Sequence, residues 1–555
     1  MYRKFGLSVI VCILISTNAF AQPSEAAKVD KLFAAWDRKD SPGCVVLVRQ
    51  DGKTLYERAF GMSHLELGVP LSLSSVFLLA SVSKQFVVFL IMMLAQGGRI
   101  SLDDDVRKYV PEVPNFGKTI TIRHLIHHTS GLREDLTSFN LAGWRAGDVT
   151  TRDDFMRFVK NQKELNFEPG SEYLYCNTGY HLLAIIVERV TKQPMPEYAR
   201  EQIFEPLAMK ATVVRDNHRT LIPGLVSPYQ VKLDGSAFGH ARVAHDPPGA
   251  SNIHSNVADL ARWDQNYYDA TVGGKKLIEQ MHERFKLNNG KLTKYAGGLF
   301  IDEYRGLKTV SHTGWHGGYK TVILRVPEER FSVIILANQR ECVPLRLAKK
   351  VADIYLKERL EKGDVPQATQ PAPDGARLAE FAGDYRVGQS LWHIGQDKQG
   401  LFVQIDGGAE KKRLIASAAA EFFDVEDGMR YRFVNKKDDM LLEANVEKTK
   451  LNGKRLRFVD PPAEKLAELT GTYRSAELGV FNTLEVRKGK VFMHTPKGEM
   501  VLQFLDGGEC IARPKDAYYS MAAVRFTRND AGAVTGYALT TERVRNLRYA
   551  KVKVE

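Results

Sequence analysis

Cysteine is scarce in this chain, and none of it occurs at paired spacing. Only five of the 555 residues are cysteine. They are Cys12, Cys44, Cys176, Cys342 and Cys510, and they lie far apart in the sequence. This scatter indicates neither a disulfide framework nor a zinc site of closely spaced cysteines. The length predicts two or three domains with large cores.

Long apolar runs are also missing. Residues 86–95 form an apolar run that ends at a Gly-Gly pair, so a buried helix is expected there and no membrane span. At the amino terminus, a basic pair precedes apolar residues 7–15, and Ala19-Phe20-Ala21 supplies a small-x-small cleavage pattern. This arrangement predicts a secretory signal over residues 1–21 and a periplasmic or secreted mature protein.

The chain has no basic stripe and no nucleic-acid-binding motif. Its formal net charge is +12. Removal of the predicted signal takes away Arg3 and Lys4, which lowers the charge to +10, and it also takes away Cys12. The positive residues are spread along the chain. This surplus is typical of a protein near anionic envelope surfaces, and no nucleic-acid partner is expected.

Two common hydrolase motifs are absent as well. No serine lies in G-x-S-x-G, and the strand-helix alternation of a parallel sheet is missing, so an α/β-hydrolase is a poor alternative. There is no H-E-x-x-H, and the pair His124 and His128 has no third ligand placed to complete a metal site. We therefore expect a capped structural turn at this pair, and neither a metal nor another cofactor.

Ser81 and Lys84 form an S-x-x-K motif at the start of the apolar run. Their spacing places a hydroxyl and an amine on the same side of a helix, where a buried lysine of lowered pKa takes the serine proton. The helix amino terminus adds N–H groups beside the reacting oxygen. The motif alone is more often an N-capping serine with a solvated lysine, so its interpretation depends on residues downstream.

Two later motifs supply the other groups that such a serine needs. Tyr175 offers a phenol that relays protons, and Asn177 offers an amide that hydrogen bonds to lysine and substrate. His312-Thr313-Gly314 is expected on a strand edge against which the substrate lies, with glycine permitting close approach. The N–H groups of Ser81 and Trp315 are expected to form an oxyanion hole.

In this order and at these separations, the motifs resemble those of the penicillin-recognising serine hydrolases. The chain looks most like the branch that holds class C β-lactamases, D-aminopeptidases and family VIII esterases, and residues 128–132 and 168–170 also resemble that branch. The resemblance covers about residues 28–358. It implies an α+β fold of the β-lactamase/transpeptidase type, with an antiparallel sheet packed by helices.

The same resemblance implies site roles. Ser81 would attack a carbonyl carbon to form an acyl-enzyme that water releases, with Lys84 and Tyr175 sharing the base and acid roles and His312 lining the pocket. Substrate binding is implied for Asn177, Thr313, Gly314 and Trp315.

One residue departs from the β-lactamases. They carry a lysine where His312 stands, and a mostly neutral histidine binds a carboxylate less well. Peptide, amide or ester substrates are therefore expected in preference to β-lactams. Cys176 is expected to be a small packing residue, because nothing nearby would lower its pKa.

The carboxyl-terminal part contains a repeat. Residues 378–386 (LAEFAGDYR) match residues 466–474 (LAELTGTYR), and each copy opens a stretch of short alternating strands. A Pro-rich segment at 363–377 predicts a linker ahead of the first copy. We predict two small antiparallel β-barrel modules behind the catalytic domain. The predicted boundaries are 22–362 for the catalytic domain, 378–460 for the first module and 461–555 for the second.

Three functional classes remain open. They are a peptidase or amidase acting on small peptides in the manner of a D-aminopeptidase, a carboxylesterase using the same residues, and a β-lactamase or non-catalytic penicillin- or wall-binding protein. The complete set of catalytic candidates favours an enzyme. D-aminopeptidases of this family have a similar build, in which a loop of the last barrel reaches the active site. By that resemblance, residues 505–518 would bring Asp506 or Glu509 to a substrate's free amine.

Overall fold

A computed structural model gives the architecture of the chain. It describes residues 24–145, 147–232, 235, 237–361, 374–388, 390–405, 411–424, 429–437, 439–446, 449–514 and 521–553. The predicted signal at residues 1–21 and residues 363–373 of the predicted linker lie outside the described residues. Among the helices that are described, none is long and apolar enough to cross a membrane.

The first domain is built on a six-stranded antiparallel sheet made from both of its ends. Cys44–Gln50 pairs along its whole length with Phe331–Ala337. Val45 packs into one hydrophobic core and Val46 into the core on the opposite face, because successive side chains of a strand point to opposite sides. The strand order is Phe300–Tyr304, Leu307–His316, Tyr319–Val326, Phe331–Ala337, Cys44–Gln50 and Lys53–Phe60.

Helices cover both faces of this sheet. Glu25–Phe33 and Pro344–Tyr355 pack together on one face. Lys84–Gln96 lies in the core on the other face, as expected of a helix that is apolar all round. The other α-helices of this domain are Ile122–Ile126, Asp135–Leu141, Arg152–Asn161, Asn177–Thr191, Met195–Ala199, Val257–Asp269 and Gly274–Met281.

Short elements connect the sheet and the helices. Single helical turns, of which the fourth in the chain is a π-turn, are Ala34–Trp36, Ala80–Ser83, Val106–Lys108, Arg200–Phe204 and Pro327–Glu329. Strands of two or three residues are Met62–His64, Val69–Pro70, Phe77–Leu78, Val149–Thr150, Val213–Val214, Tyr229–Val231, Phe238–His240, Ala244–His245 and Ile253–Ser255.

Two closed eight-stranded barrels follow, and each is preceded by a short helix, Gly375–Ala379 or Ala463–Ala467. The first barrel contains Gly383–Val387, Ser390–Asp397, Gly400–Ile405, Lys412–Ala418, Glu421–Asp424, Arg430–Lys436, Asp439–Val446 and Thr449–Arg455. The second contains Gly471–Ser475, Val480–Arg487, Lys490–Thr495, Gly498–Leu505, Glu509–Pro514, Ala522–Arg528, Val534–Thr540 and Leu547–Val552, with Phe458–Val459 added at one edge. The predicted α+β fold with two barrels is confirmed, and the predicted domain boundaries stay a prediction.

The sequence repeat has a physical basis at the entry to each barrel. Tyr385 and Tyr473 are fully buried, and their hydroxyls donate to the carbonyls of Phe381 and Leu469, each at 2.8 Å. Each tyrosine thus ties the preceding helical turn to the first strand while its own polar atom is satisfied.

The second barrel is fixed to the first domain through buried polar contacts. Arg133, which has no exposed surface, pairs with Glu477 of the barrel and also donates to the carbonyl of Arg545. The Asn166 side chain donates to the carbonyl of Arg543 at 3.1 Å and accepts from the amide of Arg545 at 2.8 Å. These contacts hold the barrel loop 541–546 against the first domain.

Removing one partner of this buried ion pair is expected to destabilise the protein strongly. Glu477→Ala leaves the Arg133 guanidinium buried without its carboxylate, and such a loss typically lowers the free energy of unfolding by about 3–5 kcal/mol. Urea unfolding monitored by circular dichroism measures the effect. Glu468→Ala is the matched control, since its pair with Arg528 is 48% and 41% exposed and is expected to contribute less than about 1 kcal/mol. Equal midpoints for the two variants would contradict this expectation.

Candidate active site

Ser81 lies on a helical turn, Ala80–Ser83, that leads directly into Lys84–Gln96. Ala80 has a φ of +49°, a conformation that persists only where the surroundings hold it. The holding contacts come from two sides: Thr321 of the sheet donates to the Leu79 carbonyl at 2.7 Å, and the Ser83 hydroxyl accepts from the amide of Ile253 at 3.1 Å. The turn that carries Ser81 is therefore rigidly placed.

Lys84 is completely buried, and its Nζ makes three polar contacts. It lies 3.1 Å from Ser81 Oγ, 2.8 Å from Asn177 Oδ1 and 2.8 Å from the Ala250 carbonyl. Burial, followed by the positive charge of Arg543, lowers the pKa of Lys84 to about 7. Because a neutral amine has two hydrogens and the Asn177 and Ala250 oxygens only accept, the nitrogen lone pair is left facing the Ser81 hydroxyl. This is the arrangement of a base beside its nucleophile.

Asn177 is the first residue of helix Asn177–Thr191, and its amide links Lys84 to a buried carboxylate. Its Nδ2 donates to Glu134 Oε1 at 2.7 Å, while Glu134 Oε2 accepts from the amide of Thr137 at 2.6 Å. Glu134 therefore fixes the amide orientation, with the oxygen toward the lysine. Burial raises the pKa of Glu134. No motif in the sequence indicated this residue.

Two basic side chains lie close to the ring of Tyr175. Lys84 Nζ is 4.9 Å from the centre of its ring and Arg543 Cζ is 5.1 Å from it. The buried hydroxyl of Tyr175 has no hydrogen-bond partner among the described residues. Burial raises the pKa of Tyr175, and the nearby Ser81 hydroxyl offsets part of that rise. Since the pKa of Tyr175 stays well above its usual value while that of Lys84 falls to about 7, the lysine is the base at neutral pH and the phenol is a proton donor.

His312 lies on the strand Leu307–His316 and is buried. Its Nδ1 is 2.6 Å from the Thr313 carbonyl, which only accepts, so Nε2 accepts from the Tyr295 hydroxyl at 3.0 Å. Burial lowers the pKa of His312 to about 3, and the ring is neutral over the physiological range. With both nitrogens engaged, His312 provides a neutral polar wall.

Gly314 and Trp315 follow on the same strand. A Cβ at Gly314 would overlap the Leu79 carbonyl and the Thr321 hydroxyl, so only glycine lets this strand approach the Ser81 turn. Trp315 is 57% exposed, and its ring is 4.3 Å from Lys320 Nζ. The oxyanion role of its N–H group stays a prediction.

These residues surround one cavity of about 740 Å³. Six predicted site residues line it. Lys84 lies behind Ser81, and Gly314 faces the turn that carries Ser81. Lining residues that the motifs did not indicate include Tyr173, Phe300, His316, Arg340 and three residues of the second barrel. The predicted residues on the cavity wall are Ser81, Tyr175, Asn177, His312, Thr313 and Trp315.

The family model described as Beta-lactamase matches residues 29–354 of the chain. The chain belongs to the beta-lactamase family. Members of this family are serine hydrolases, and the Ser81 and Lys84 pair lies inside the matched region.

Relatives of this beta-lactamase-family chain include two curated proteins. Penicillin-binding protein 4* of Bacillus subtilis (strain 168) is 28% identical over 421 residues, which are 71% of this chain and 90% of that protein. Protein flp of Staphylococcus aureus (strain MRSA252) is 29% identical over 316 residues, which are 55% of this chain and 61% of flp. The match to flp thus leaves more than a third of that protein uncovered.

Solved structures share the fold. The octameric penicillin-binding protein homologue of Pyrococcus abyssi has a TM-score of 0.56 at 23% identity, covering 77% of this chain and 99% of that one. The D-amino acid amidase of Ochrobactrum anthropi SV3 has a TM-score of 0.51 at 20% identity, covering 60% and 97%. At these identities the likeness concerns the fold alone.

The second barrel contributes Thr541, Glu542 and Arg543 to the cavity of this beta-lactamase-family domain. The sequence hypothesis that residues 505–518 reach the site is wrong for the described part of that segment. Asp506 lines a separate cavity beside residues 459–469, and Glu509 pairs with Arg386 of the first barrel at 2.7 Å. Residues 515–518 lie outside the described residues.

Replacing Arg543 is expected to slow the enzyme at neutral pH. Its positive charge lowers the pKa of Lys84. Arg543→Met should therefore move the acidic limb of kcat/KM to higher pH. A rise of about one pKa unit would reduce kcat/KM at pH 7 by about fivefold, because the neutral fraction of Lys84 would fall from about one half to about one eleventh. Arg543→Lys keeps the charge and should retain most activity, and the exposed Arg548→Met is the control. An unchanged pH profile in Arg543→Met would show that this arginine does not act on Lys84.

Proposed function

We propose that this protein is a periplasmic or secreted serine hydrolase that cleaves amide bonds of small peptides through an acyl-enzyme on Ser81. The observation that carries the proposal is the contact between Lys84 Nζ and Ser81 Oγ, made by a fully buried amine whose pKa is about 7. An ordinary solvated lysine would have neither this burial nor this pKa. The location depends on the predicted signal at residues 1–21.

The chemistry follows from the order of the pKa values. Neutral Lys84 accepts the proton as Ser81 Oγ attacks the carbonyl carbon, and N–H groups of the Ser81 turn and the Trp315 strand stabilise the oxyanion. Tyr175 donates a proton to the departing amine and recovers it through Lys84. A water then attacks the acyl carbon while Lys84 accepts a proton from it. The bond between the acyl carbon and Ser81 Oγ breaks, Oγ takes the proton from Lys84, and the acid product leaves.

The cavity wall supports a small, charged peptide as substrate. A volume of about 740 Å³ lies within the usual range for small-molecule sites. The barrel supplies both signs of charge through Glu542 and Arg543, which form a long ion pair at 3.9 Å and whose side chains are 56% and 33% exposed. Glu542 is suited to a free amine, the role that the sequence hypothesis gave to Asp506 or Glu509. Neutral His312 offers no cation for a β-lactam carboxylate.

A carboxylesterase on the same residues is the alternative. Ester leaving groups depart more easily than amines, so some esterase activity is expected of an amidase too, and only the ratio of kcat/KM values separates the two functions. A purely binding role is the third possibility. The buried base held against the nucleophile is not required for binding, and it disfavours that role.

A substrate panel tests the proposal. It contains D- and L-amino acid anilides, their N-acetylated forms, p-nitrophenyl esters and a chromogenic cephalosporin. We expect the free-amine anilides and short peptides to be hydrolysed best relative to their uncatalysed rates, and the cephalosporin worst. A preference for esters alone would establish the alternative.

The role of Glu542 is tested on the same panel. Glu542→Gln should raise KM for free-amine anilides by about tenfold, as expected when one charge-assisted hydrogen bond is lost, and should leave the acetylated anilides unchanged. Asp506→Asn and Glu509→Gln, which lie outside the cavity, are the matched controls. Equal effects on acetylated and free substrates would remove the amine-binding role while leaving the Ser81 chemistry intact.

A further inference from the structure

Three metal-ligating side chains converge behind the wall of the active-site cavity. Asp135 begins helix Asp135–Leu141, His181 lies in helix Asn177–Thr191, and His245 ends the short strand Ala244–His245. All three are buried. His181 Nε2 lies 3.2 Å from His245 Nε2 and 3.4 Å from Asp135 Oδ2, and the third side of the triangle is 4.0 Å.

The contacts around His181 and Asp135 direct electron pairs of these two side chains into the cluster. His181 Nδ1 lies 2.8 Å from the Pro248 carbonyl, which only accepts, so Nδ1 carries a proton and Nε2 is the ring nitrogen that faces the other two ligands. Asp135 Oδ2 has no hydrogen-bond donor among the described residues, although Oδ1 accepts from Thr178 at 3.4 Å. A buried carboxylate oxygen without a donor is costly unless a cation satisfies it.

The triangle has the dimensions of a metal site. A point equidistant from its three atoms lies about 2.1 Å from each, which matches the bond lengths of zinc to histidine nitrogen and to carboxylate oxygen. The carbonyl that receives the proton of His181 Nδ1 is the usual partner of a metal-bound histidine. Two imidazoles and one carboxylate suit zinc and its neighbours better than calcium or magnesium.

We propose that Asp135, His181 and His245 bind one divalent transition-metal ion, with zinc the best match. The ligands come from three segments that are remote in sequence, so no spacing motif indicated the site. The ion would tie together the segments that orient Lys84. Asp135 follows Glu134, which holds the Asn177 amide, and His245 precedes the loop whose Ala250 carbonyl accepts from Lys84. This is a supporting site, distinct from the chemistry proposed for Ser81.

A second cluster provides a matched control. Glu485, His494 and Glu499 also place three ligand atoms near one another. The side chains of Glu485 and His494 are 46% and 42% exposed, and both carboxylates already pair with Arg487. An exposed, ion-paired cluster of this kind is common without a metal.

Cobalt(II) alone is the probe. The full-length protein is stripped with a chelator, dialysed, and titrated with Co²⁺ while the visible absorption of protein-bound cobalt is followed. Zn²⁺ is then used to displace the cobalt. We expect one Co²⁺ per chain in the wild type and in His494→Ala, and a rise in the thermal unfolding midpoint on binding in both. Asp135→Asn and His245→Gln should bind Co²⁺ at least about 100-fold more weakly than the wild type. Loss of a residue that only hydrogen bonds to a metal ligand typically weakens metal binding by about 10- to 100-fold.

A buried site fills slowly, so the titration is repeated after unfolding and refolding the protein with Co²⁺. If the wild type binds no stoichiometric cobalt by either route, or if both ligand variants bind as the wild type does, the proposal is overturned. The cluster would then share a proton instead of a metal. If His494→Ala alone loses binding, the exposed cluster is the metal site and the proposal is likewise wrong. None of these outcomes depends on turnover by Ser81.

Discussion

Ser81→Ala is expected to abolish turnover of every substrate on the panel, with kcat/KM falling at least about 10⁴-fold, the scale seen when a nucleophile is removed from a unit that acts together. Among the described residues near Ser81, neither Cys176 nor Ser83 can replace it. Cys176 is buried and its pKa is raised to about 12 by burial, and the Ser83 hydroxyl is occupied by the amide of Ile253. A thiol held protonated in this way is a poor nucleophile.

The measurement combines kinetics with labelling. A fluorophosphonate should modify the wild type once, at the peptide that contains Ser81, and should not modify Ser81→Ala. Circular dichroism and the unfolding midpoint establish that the variant is folded. Ser74→Ala, an exposed serine seven residues earlier, is the control and should keep full activity. Substantial activity in Ser81→Ala, or labelling at another side chain, would overturn the proposed mechanism.

Much of the fold could be predicted because its signals are local. The hairpin around Gln50–Lys53 and the strands from Phe300 to Ala337 follow from period-two alternation and turn residues, which fix pairing between neighbours. The two barrels could be predicted because their first strands begin in the same way. Tyr385 and Tyr473 make the same hydrogen bond to the preceding helical turn, and the residues around them therefore repeat in the sequence.

The central part of the candidate site was predictable for a related reason. Ser81 and Lys84 lie one turn apart, and Tyr175 and Asn177 lie at the start of one helix, so each pair is a short motif with a fixed geometry. Their convergence with His312 on one cavity is what the resemblance implied.

The residues that were missed act through contacts between segments remote in sequence. Glu134 is connected to the site through its hydrogen bond with the Asn177 amide. Arg543 lines the cavity because the second barrel is held against the first domain, in part by the buried ion pair of Arg133 and Glu477. Nothing in the pattern of loop 541–546 distinguishes it from any charged hairpin loop. Docking geometry between domains is set by surface complementarity, which has no periodic signature, and this is why a different barrel loop was favoured from the sequence.

Lys84 gives the second large expected effect. Lys84→Met removes the base, and Lys84→Arg replaces it with a guanidinium that stays protonated at any working pH. Both should lower kcat/KM by about 10³-fold, within the range that general base catalysis contributes. The exposed Lys275→Met is the control. Lys84→Arg keeps the positive charge but cannot accept a proton. Similar losses of kcat/KM in the two variants would therefore show that Lys84 acts by proton transfer and not by electrostatic stabilisation.

The pH dependence makes this prediction specific to the lysine. In the wild type kcat/KM should rise with pH through an apparent pKa of about 7 and then level off, because the neutral amine is the active form. The folded pKa of Lys84 lies below its ordinary value of 10.5, so between pH 7 and 10.5 the unfolded chain binds more protons and the free energy of unfolding should increase with pH. Lys84→Met should lose both the acidic limb and this contribution to the pH dependence of stability. If the variant kept an acidic limb near pH 7, the titrating base would be another group, and the contact between Lys84 and Ser81 would be structural.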